Sequence, residues 1–463
     1  MRPPGYIPRV TTTSERSPDP GQEGAETRSH VDLTPASAGR GWRYYLRAVG
    51  PGLVTGASDD DPSGIATYAQ AGASQGYGLL WTSWLTFPLM AGIQEICDRT
   101  ALATGRSLGE LVTDKWRGRG MRTLVGVLLT LLTVANALQV TADLVAVGEG
   151  MRLLGAGPAW VWALVAGLTV TCAVVLGSFD RVARVFKVLC LALVGYLLVA
   201  VLSRPPAGEL LHGLLVPHLP SDADGSRVLV AVLGTTISPY LLFWQSAHRI
   251  EDLRDEDLGG EEAVPLDRRS APDARRRLRA ARLDVVGGML FSNLVMLAIM
   301  VATAATVHAG GARDLNSAAD AARALEPVAG HWAGALFALG FIGTGLLAIP
   351  VLAGSAAAGV AGLLGKTFGF SRSMRQAPVF YGLVALGTLG GTLLTFTPVD
   401  PVELLVFTAF VDGVIAAPFL VLVMLVSRDR RLMGEHRNGR LATTVGWLTT
   451  ALMTGAAVLA LLG

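Results

Sequence analysis

Apolar stretches of about 20 residues recur along this 463-residue chain, each parted from the next by a short charged block. That length is what an α-helix needs to cross the hydrocarbon core of a bilayer. Charged residues make up only 16% of the chain, against about a quarter in globular domains. The expected fold class is therefore an all-α polytopic membrane protein. Eleven spans are expected, near 46–76, 77–97, 121–146, 157–177, 184–203, 227–248, 284–308, 331–364, 377–397, 402–427 and 441–462. The third and eighth are long enough to tilt. Residues 1–43 are rich in Ser, Thr, Pro, Gly and charge and carry no apolar run, so they read as a disordered tail. Cys97, Cys172 and Cys190 fit neither a disulfide framework nor a zinc site and are expected to be small buried hydrophobes.

The basic residues set the orientation. With the N-terminus in the cytoplasm, 33 of the 38 Lys and Arg fall on the inner side, and only Arg152, Arg204, Arg227, Arg313 and Arg323 fall outside. Eleven spans then put the C-terminus outside. The inner loop 249–283 is polarised, acidic from Glu251 to Glu262 and basic from Arg268 to Arg282. Its segment PDARRRLRAARLD reads either as a lipid-binding basic helix or as a solvated connector.

Two spans are interrupted. The first reads VGPGLVTGASDDDPSGIATYAQAGASQGYG, with Asp59, Asp60 and Asp61 followed by Pro62, Ser63 and Gly64. An ionisable group at mid-membrane costs several kcal/mol. Proline removes a backbone donor and glycine loosens the chain. A break here would expose carbonyl oxygens and a carboxylate, so Asp61 is a candidate cation ligand. Of its neighbours, one lines an approach path and one caps the outer half-helix. The sixth span, RVLVAVLGTTISPYLLFWQSAHRI, carries Pro239 after Thr235, Thr236 and Ser238. Pro239 alone would only kink a helix. Paired with the first break, five spans away, it predicts an inverted five-plus-five repeat with its site at the repeat interface. The repeats are 44–203 and 227–427, and 441–463 is an additional helix. Elsewhere, Asp412 is a second intramembrane carboxylate, either on a cation path or a buried hydrogen-bonding partner. Asn136, Gln139 and Asp143 share one face of the third span and suit helix–helix hydrogen bonding. Gln94, Glu95 and Arg99 are interface or gate contacts.

At these motifs the chain resembles the Nramp family of divalent-metal transporters, most clearly over 50–112 and 231–247. Asp61, Pro62, Ser63 and Gly64 stand where that family has Asp-Pro-Gly-Asn. Ser238, Pro239 and Tyr240 stand at its Met-Pro-His, and Thr235 takes the place of an Ala three residues before the Met. Gln94 to Leu111 is similar to the end of the family's second helix, including its turn at Thr104 and Gly105. The resemblance implies a leucine-transporter-like inverted-repeat fold and a transported divalent cation rather than a resident cofactor. The implied ligands are the Asp61 carboxylate and carbonyls near Ser58 and Thr235, with Gly64 and Ser238 at the positions of the family's Asn and Met.

Those two replacements remove a thioether, which favours soft metals, and leave oxygen ligands and more room. The combination is similar to the Nramp-related magnesium transporters. The family's helix-six histidines correspond to Tyr240 and Gln245. Asp143 matches a family Asp, but the Glu three residues later is Ala146. The expected activity is thus Mg²⁺ uptake, with Mn²⁺ as a second cargo, by alternating access without proton coupling. A 100 mV inside-negative potential gives a divalent cation about 4.6 kcal/mol, enough for a gradient of over a thousandfold. The alternative is a proton-coupled Mn²⁺/Fe²⁺ symporter of the classical type, with Asp61, Asp143 and Asp412 carrying protons. A Na⁺-coupled organic-solute symporter would bring a substrate carboxylate to a half-helix N-terminus, where three acids repel it. No receptor or scaffold signature stands out, and no nucleophile–base set or P-loop points to an enzyme. The expected partners are the lipid bilayer and the cation, with no nucleic acid, and a monomer is compatible with this role. The expected location is a bacterial plasma membrane.

Overall fold

The structure is a computed structural model, and it describes residues 55–56, 58–116, 118–175, 192–255, 263–311, 315, 320, 326, 330–396 and 400–462. The N-terminal tail, the start of the first and fifth spans, Cys190 and the acidic part of the loop after residue 255 lie outside the described residues.

The described chain is helical throughout its elements. In order they are α1 (Pro62–Gln75), α2 (Trp81–Thr104), α3 (Leu108–Lys115), α4 (Arg119–Leu153), α5 (Ala159–Val175), α6 (Ala192–Leu202), α7 (Ala207–Leu215), α8 (Ala223–Thr236), α9 (Pro239–Asp255), α10 (Ala271–Thr303), α11 (Ala333–Leu363), α12 (Pro378–Leu394), α13 (Pro401–Ser427), α14 (Arg430–Met433) and α15 (Arg440–Leu462). The expected spans map onto α1, α2, α4, α5, α6, the α8–α9 pair, α10, α11, α12, α13 and α15. Among the described residues, six helical stretches are long and apolar enough to cross a membrane, including Ala223–Arg254 as one broken unit. Helices α5, α6 and α12 are shorter but apolar.

Local chemistry sets the boundaries. Short α3 starts at a capping box in which Ser107 and Glu110 bond each other's backbone N–H. At the end of α2, Gly105 takes φ 64°, and its N–H bonds the Ala101 carbonyl. Asp400 caps α13, with Pro401 in the first turn. The charged segment 249–283 is not one loop. Helix α9 runs on to Asp255, and α10 begins at Ala271, with Pro272 in its first turn and strong helix formers after it. The basic stretch is thus the first turns of a membrane helix rather than a separate connector.

Packing is closest between α4 and α11 and between α8 and α13. At the second crossing a Cβ on Gly234 would lie 2.2 Å from the Ala409 carbonyl oxygen. Such small residues let backbones approach where lipid supplies no hydrophobic drive between helices. The outside is apolar, with Leu441, Val201 and Leu393 79, 73 and 70% exposed. An exterior of this kind belongs against acyl chains. Cys97 is buried, whereas Cys172 is exposed on that surface, a correction to its expected burial.

Candidate functional site

Both expected breaks are present, and they face each other. The first span is interrupted at Asp60 and Asp61, and α1 restarts with Pro62 at its first position. The sixth is interrupted at Ile237 and Ser238, and α9 restarts at Pro239. In each case the proline opens the second half-helix, where its missing N–H costs nothing. Pro239 therefore marks a break, not a kink. The cap of α1 is Asp61 itself, whose side chain accepts the Gly64 N–H. That corrects the expectation that Asp59 or Asp60 caps this half-helix. With Pro62 at the first position, only the residue before it can cap.

The Asp61 carboxylate is buried and held by four donors. Ser63 Oγ and Gly64 N donate to Oδ1 at 2.6 and 2.9 Å. Gln139 Nε2 and the Tyr240 hydroxyl approach Oδ2 at 3.1 and 3.3 Å. The Tyr240 hydroxyl also donates to the Ser58 carbonyl at 2.9 Å, so one phenol ties the two breaks together. Ser238 turns its hydroxyl back to the Gly234 and Thr235 carbonyls, at 3.1 and 2.7 Å. Gly64 serves close approach: a Cβ there would meet the Thr235 hydroxyl at 3.3 Å. Below it, the Tyr68 and Thr236 hydroxyls pair at 3.2 Å.

Asp59 and Asp60 bond toward α10. Ser292 Oγ donates to Asp59 Oδ2 at 2.6 Å and lies 3.2 Å from Asp60 Oδ1. The second oxygen of each carboxyl has no hydrogen-bond partner among the described residues. Asp143 is fully buried on α4, and neither of its oxygens has a partner among the described residues. It lies close enough to Asp61 and Asp412 for the charges to interact. Asp412, on α13, is likewise buried and within electrostatic reach of Asp61. Gln245 accepts from the Thr55 hydroxyl at 2.8 Å and so anchors the segment before the first break to α9.

Sequence reasoning underrated Gln139. It shares a helix face with Asn136, which does bond across helices, to the Leu352 carbonyl and Ser355 Oγ at 2.8 and 3.0 Å. Gln139, one turn on, reaches the site carboxylate instead. A second omission is a charge cluster joining three spans. Arg249 of α9 forks onto both oxygens of Asp98 of α2, at 2.6 and 3.1 Å, and lies 3.7 Å from Asp284 of α10. Asp98 and Asp284 were visible as charges near span ends, but nothing in their spacing tied them to one arginine. The expected gate residues behave similarly: Arg99 pairs with Glu95 and reaches the His436 carbonyl and Asn438 Oδ1 ahead of α15.

Two facing helix breaks around a buried carboxylate, in a bundle with an apolar exterior, define a membrane transporter of the broken-helix class. The solved structures agree on the fold. Two crystal structures of the Eremococcus coleocola manganese transporter, one of a mutant and one with an aromatic bis-isothiourea compound bound, superpose with TM-scores of 0.72 at 17 and 16% identity. They cover 93% of this chain and 88 and 89% of theirs. The fold is thus the leucine-transporter-like one expected. The family model described as "Natural resistance-associated macrophage protein-like" matches residues 52–463. The chain belongs to the Nramp family, whose members are membrane transporters and not enzymes. Relatives over nearly the full length are two proteins named divalent metal cation transporter MntH. That of Aeromonas hydrophila is 28% identical over 426 residues, covering 89% of this chain and 95% of its own. That of Deinococcus radiodurans is 25% identical over 454 residues, covering 96% of each.

Proposed function

We propose that this protein carries a divalent metal cation across a bacterial plasma membrane by alternating access, with Mg²⁺ as the preferred cargo and Mn²⁺ as a second one. The relatives named as divalent metal cation transporters support the cargo class. The observation that carries the finer reading is the donor set at the breaks. Every atom bonded to Asp61 comes from an amide, a hydroxyl or a peptide group. Neither a thioether nor an imidazole contacts the Asp61 carboxylate, and the ligand atoms on hand are its own oxygens with nearby hydroxyl and carbonyl oxygens, which suit a hard cation. The Asp61 carboxylate is the anchoring ligand, and the Ser58 and Thr235 carbonyls sit at the ends of the first half-helices, where unwound backbone favours cations. The Ser58 carbonyl accepts the Tyr240 hydroxyl and the Thr235 carbonyl the Ser238 hydroxyl. The short Ser238 side chain, its hydroxyl turned back to the Gly234 and Thr235 carbonyls, leaves the place of a thioether to water that Mg²⁺ retains.

The membrane potential drives uptake without protons in this reading. The N-terminus is cytoplasmic and the C-terminus external, on the strength of the Lys/Arg asymmetry. The five-helix repeats are 44–203 and 227–427, with 441–463 outside them. One observation favours the classical alternative, proton-coupled Mn²⁺ or Fe²⁺ symport. A carboxyl as deeply buried as Asp143, without a donor, is stable only with a proton or a cation near it.

The test is purified protein in liposomes, with cation flux and internal pH followed under Mg²⁺ or Mn²⁺ gradients. Mg²⁺ entry without acidification is expected. Mn²⁺ entry with acidification and no competition by Mg²⁺ would establish the classical reading instead. Asp61→Ala should abolish flux while leaving the protein folded, and surviving flux would remove Asp61 from the site.

A further inference from the structure

The exposed side of α10 is one continuous stripe with two chemistries. Arg275, Arg279 and Arg282 are exposed, followed along the same face by Leu283, Val286, Leu290 and Leu294. The spacing of three and four residues keeps them on one side of the helix. The four apolar residues are 57, 43, 44 and 43% exposed, so this face lies against lipid. From Leu283 to Leu294 the helix rises ~16 Å, close to the depth of one leaflet's hydrocarbon. Arg282 therefore sits at the edge of the hydrocarbon. Arg279 lies ~6 Å beyond Leu283 and Arg275 ~12 Å beyond, at and just past the headgroup layer, which is roughly 5–7 Å thick.

The three arginines differ in what holds them. Arg282 donates to Glu95 of α2 at 2.9 Å, which fixes its position. Arg277, on the flank, pairs with Asp273 at 3.0 Å. Arg275 and Arg279 make no ion pair or hydrogen bond among the described residues. They are two forks with donors unpaired among the described residues, one turn apart, Arg279 at the depth of lipid phosphates and Arg275 above it, from where its long side chain reaches back toward the headgroup.

We infer that this stripe of α10 binds an anionic phospholipid, whose phosphate is gripped by Arg275 and Arg279 while its acyl chain lies along Leu283, Val286, Leu290 and Leu294. A guanidinium offers paired N–H groups matched to phosphate oxygens. A zwitterionic headgroup brings its own cation to the same place, so two arginines unpaired among the described residues select for net negative charge. The site is separate from Asp61. It acts on the helix that holds Ser292 against Asp59 and Asp60 and Asp284 near Arg249, so occupancy would steady the inner half of that helix.

The test uses the full-length protein in phosphatidylcholine nanodiscs titrated with phosphatidylglycerol, with bound anionic lipid counted by native mass spectrometry. Arg275→Gln with Arg279→Gln should weaken binding roughly thirtyfold, at ~1 kcal/mol per basic residue. Arg227→Gln, an exposed arginine paired with Asp224 at the opposite end of the bundle, should leave it unchanged. Replacing both residues by Lys, which keeps the charge, should hold binding within severalfold. Wild-type affinity in the double Gln variant would overturn the assignment. So would equal losses in the Gln and Lys pairs, or a loss in Arg227→Gln as large as in the double variant.

Discussion

Asp61 owes its chemistry to the residue on either side of it. Pro62 makes it a helix cap, which aims its carboxylate at the α1 N-terminus, and Tyr240 from the other break closes over it. Ser238 stands at the opposite wall, its hydroxyl returned to its own helix rather than aimed at Asp61. A longer, softer side chain there would add a ligand without displacing an existing one. Ser238→Met should therefore shift preference toward Cd²⁺ or Mn²⁺ over Mg²⁺, by about tenfold for a bond worth ~1.4 kcal/mol. Competition of these ions in a flux assay measures it, and unchanged selectivity would contradict the hard-site account.

Helix pairing at one end of the bundle depends on charge. Arg249 is shared by Asp98, Asp252 and Asp284, with the Asp98 and Asp284 side chains 1 and 0% exposed. Removing the arginine takes the ion-pair partner from the buried Asp98 carboxylate, a loss of about 3–5 kcal/mol for a broken buried pair. Arg249→Ala should lower thermal stability sharply in detergent, and Asp98→Asn less so. A milder clamp joins α3 to the turn after α13, where Lys115 bonds Asp429. The Lys115 ammonium holds the Asp429 carboxyl below its ordinary range. A lowered folded value means the stabilisation is full above the ordinary aspartate value and fades as pH falls through the lowered one. The destabilisation by Lys115→Ala, at most about 1 kcal/mol for a partly exposed pair, should thus be full at pH 7 and begin to shrink only as the pH falls below about 4 toward the lowered value. Melting curves at the two pH values decide this.

As a whole the molecule is a bundle with a buried carboxylate site at its two helix breaks, a charge cluster at one end and an apolar exterior. A divalent cargo crossing it alone carries two charges through the field. Uptake into liposomes should then rise with an imposed inside-negative potential, toward a limiting gradient of over a thousandfold at 100 mV. It should also be indifferent to a pH gradient. Uptake that follows the pH gradient and ignores the potential would assign Asp143 the role of proton carrier.

Much of this was legible in the chain itself. Hydropathy marked the spans because lipid forces each segment to satisfy its own peptide groups. The prolines at positions 62 and 239 marked the breaks because proline starts helices more readily than it continues them. What needed the tertiary structure was partnership. Gln139 and Asn136 are indistinguishable as polar residues on one helix face, yet one reaches Asp61 and the other a carbonyl on α11. Asp59 and Asp60 read like Asp61, but the helix restart at Pro62 turns them toward Ser292, 232 or more residues away. Arg249 reaches α2 across 151 residues. Such contacts depend on crossing angles and register between distant helices. Local pattern carries the period of a helix, and only packing decides which neighbour each face meets.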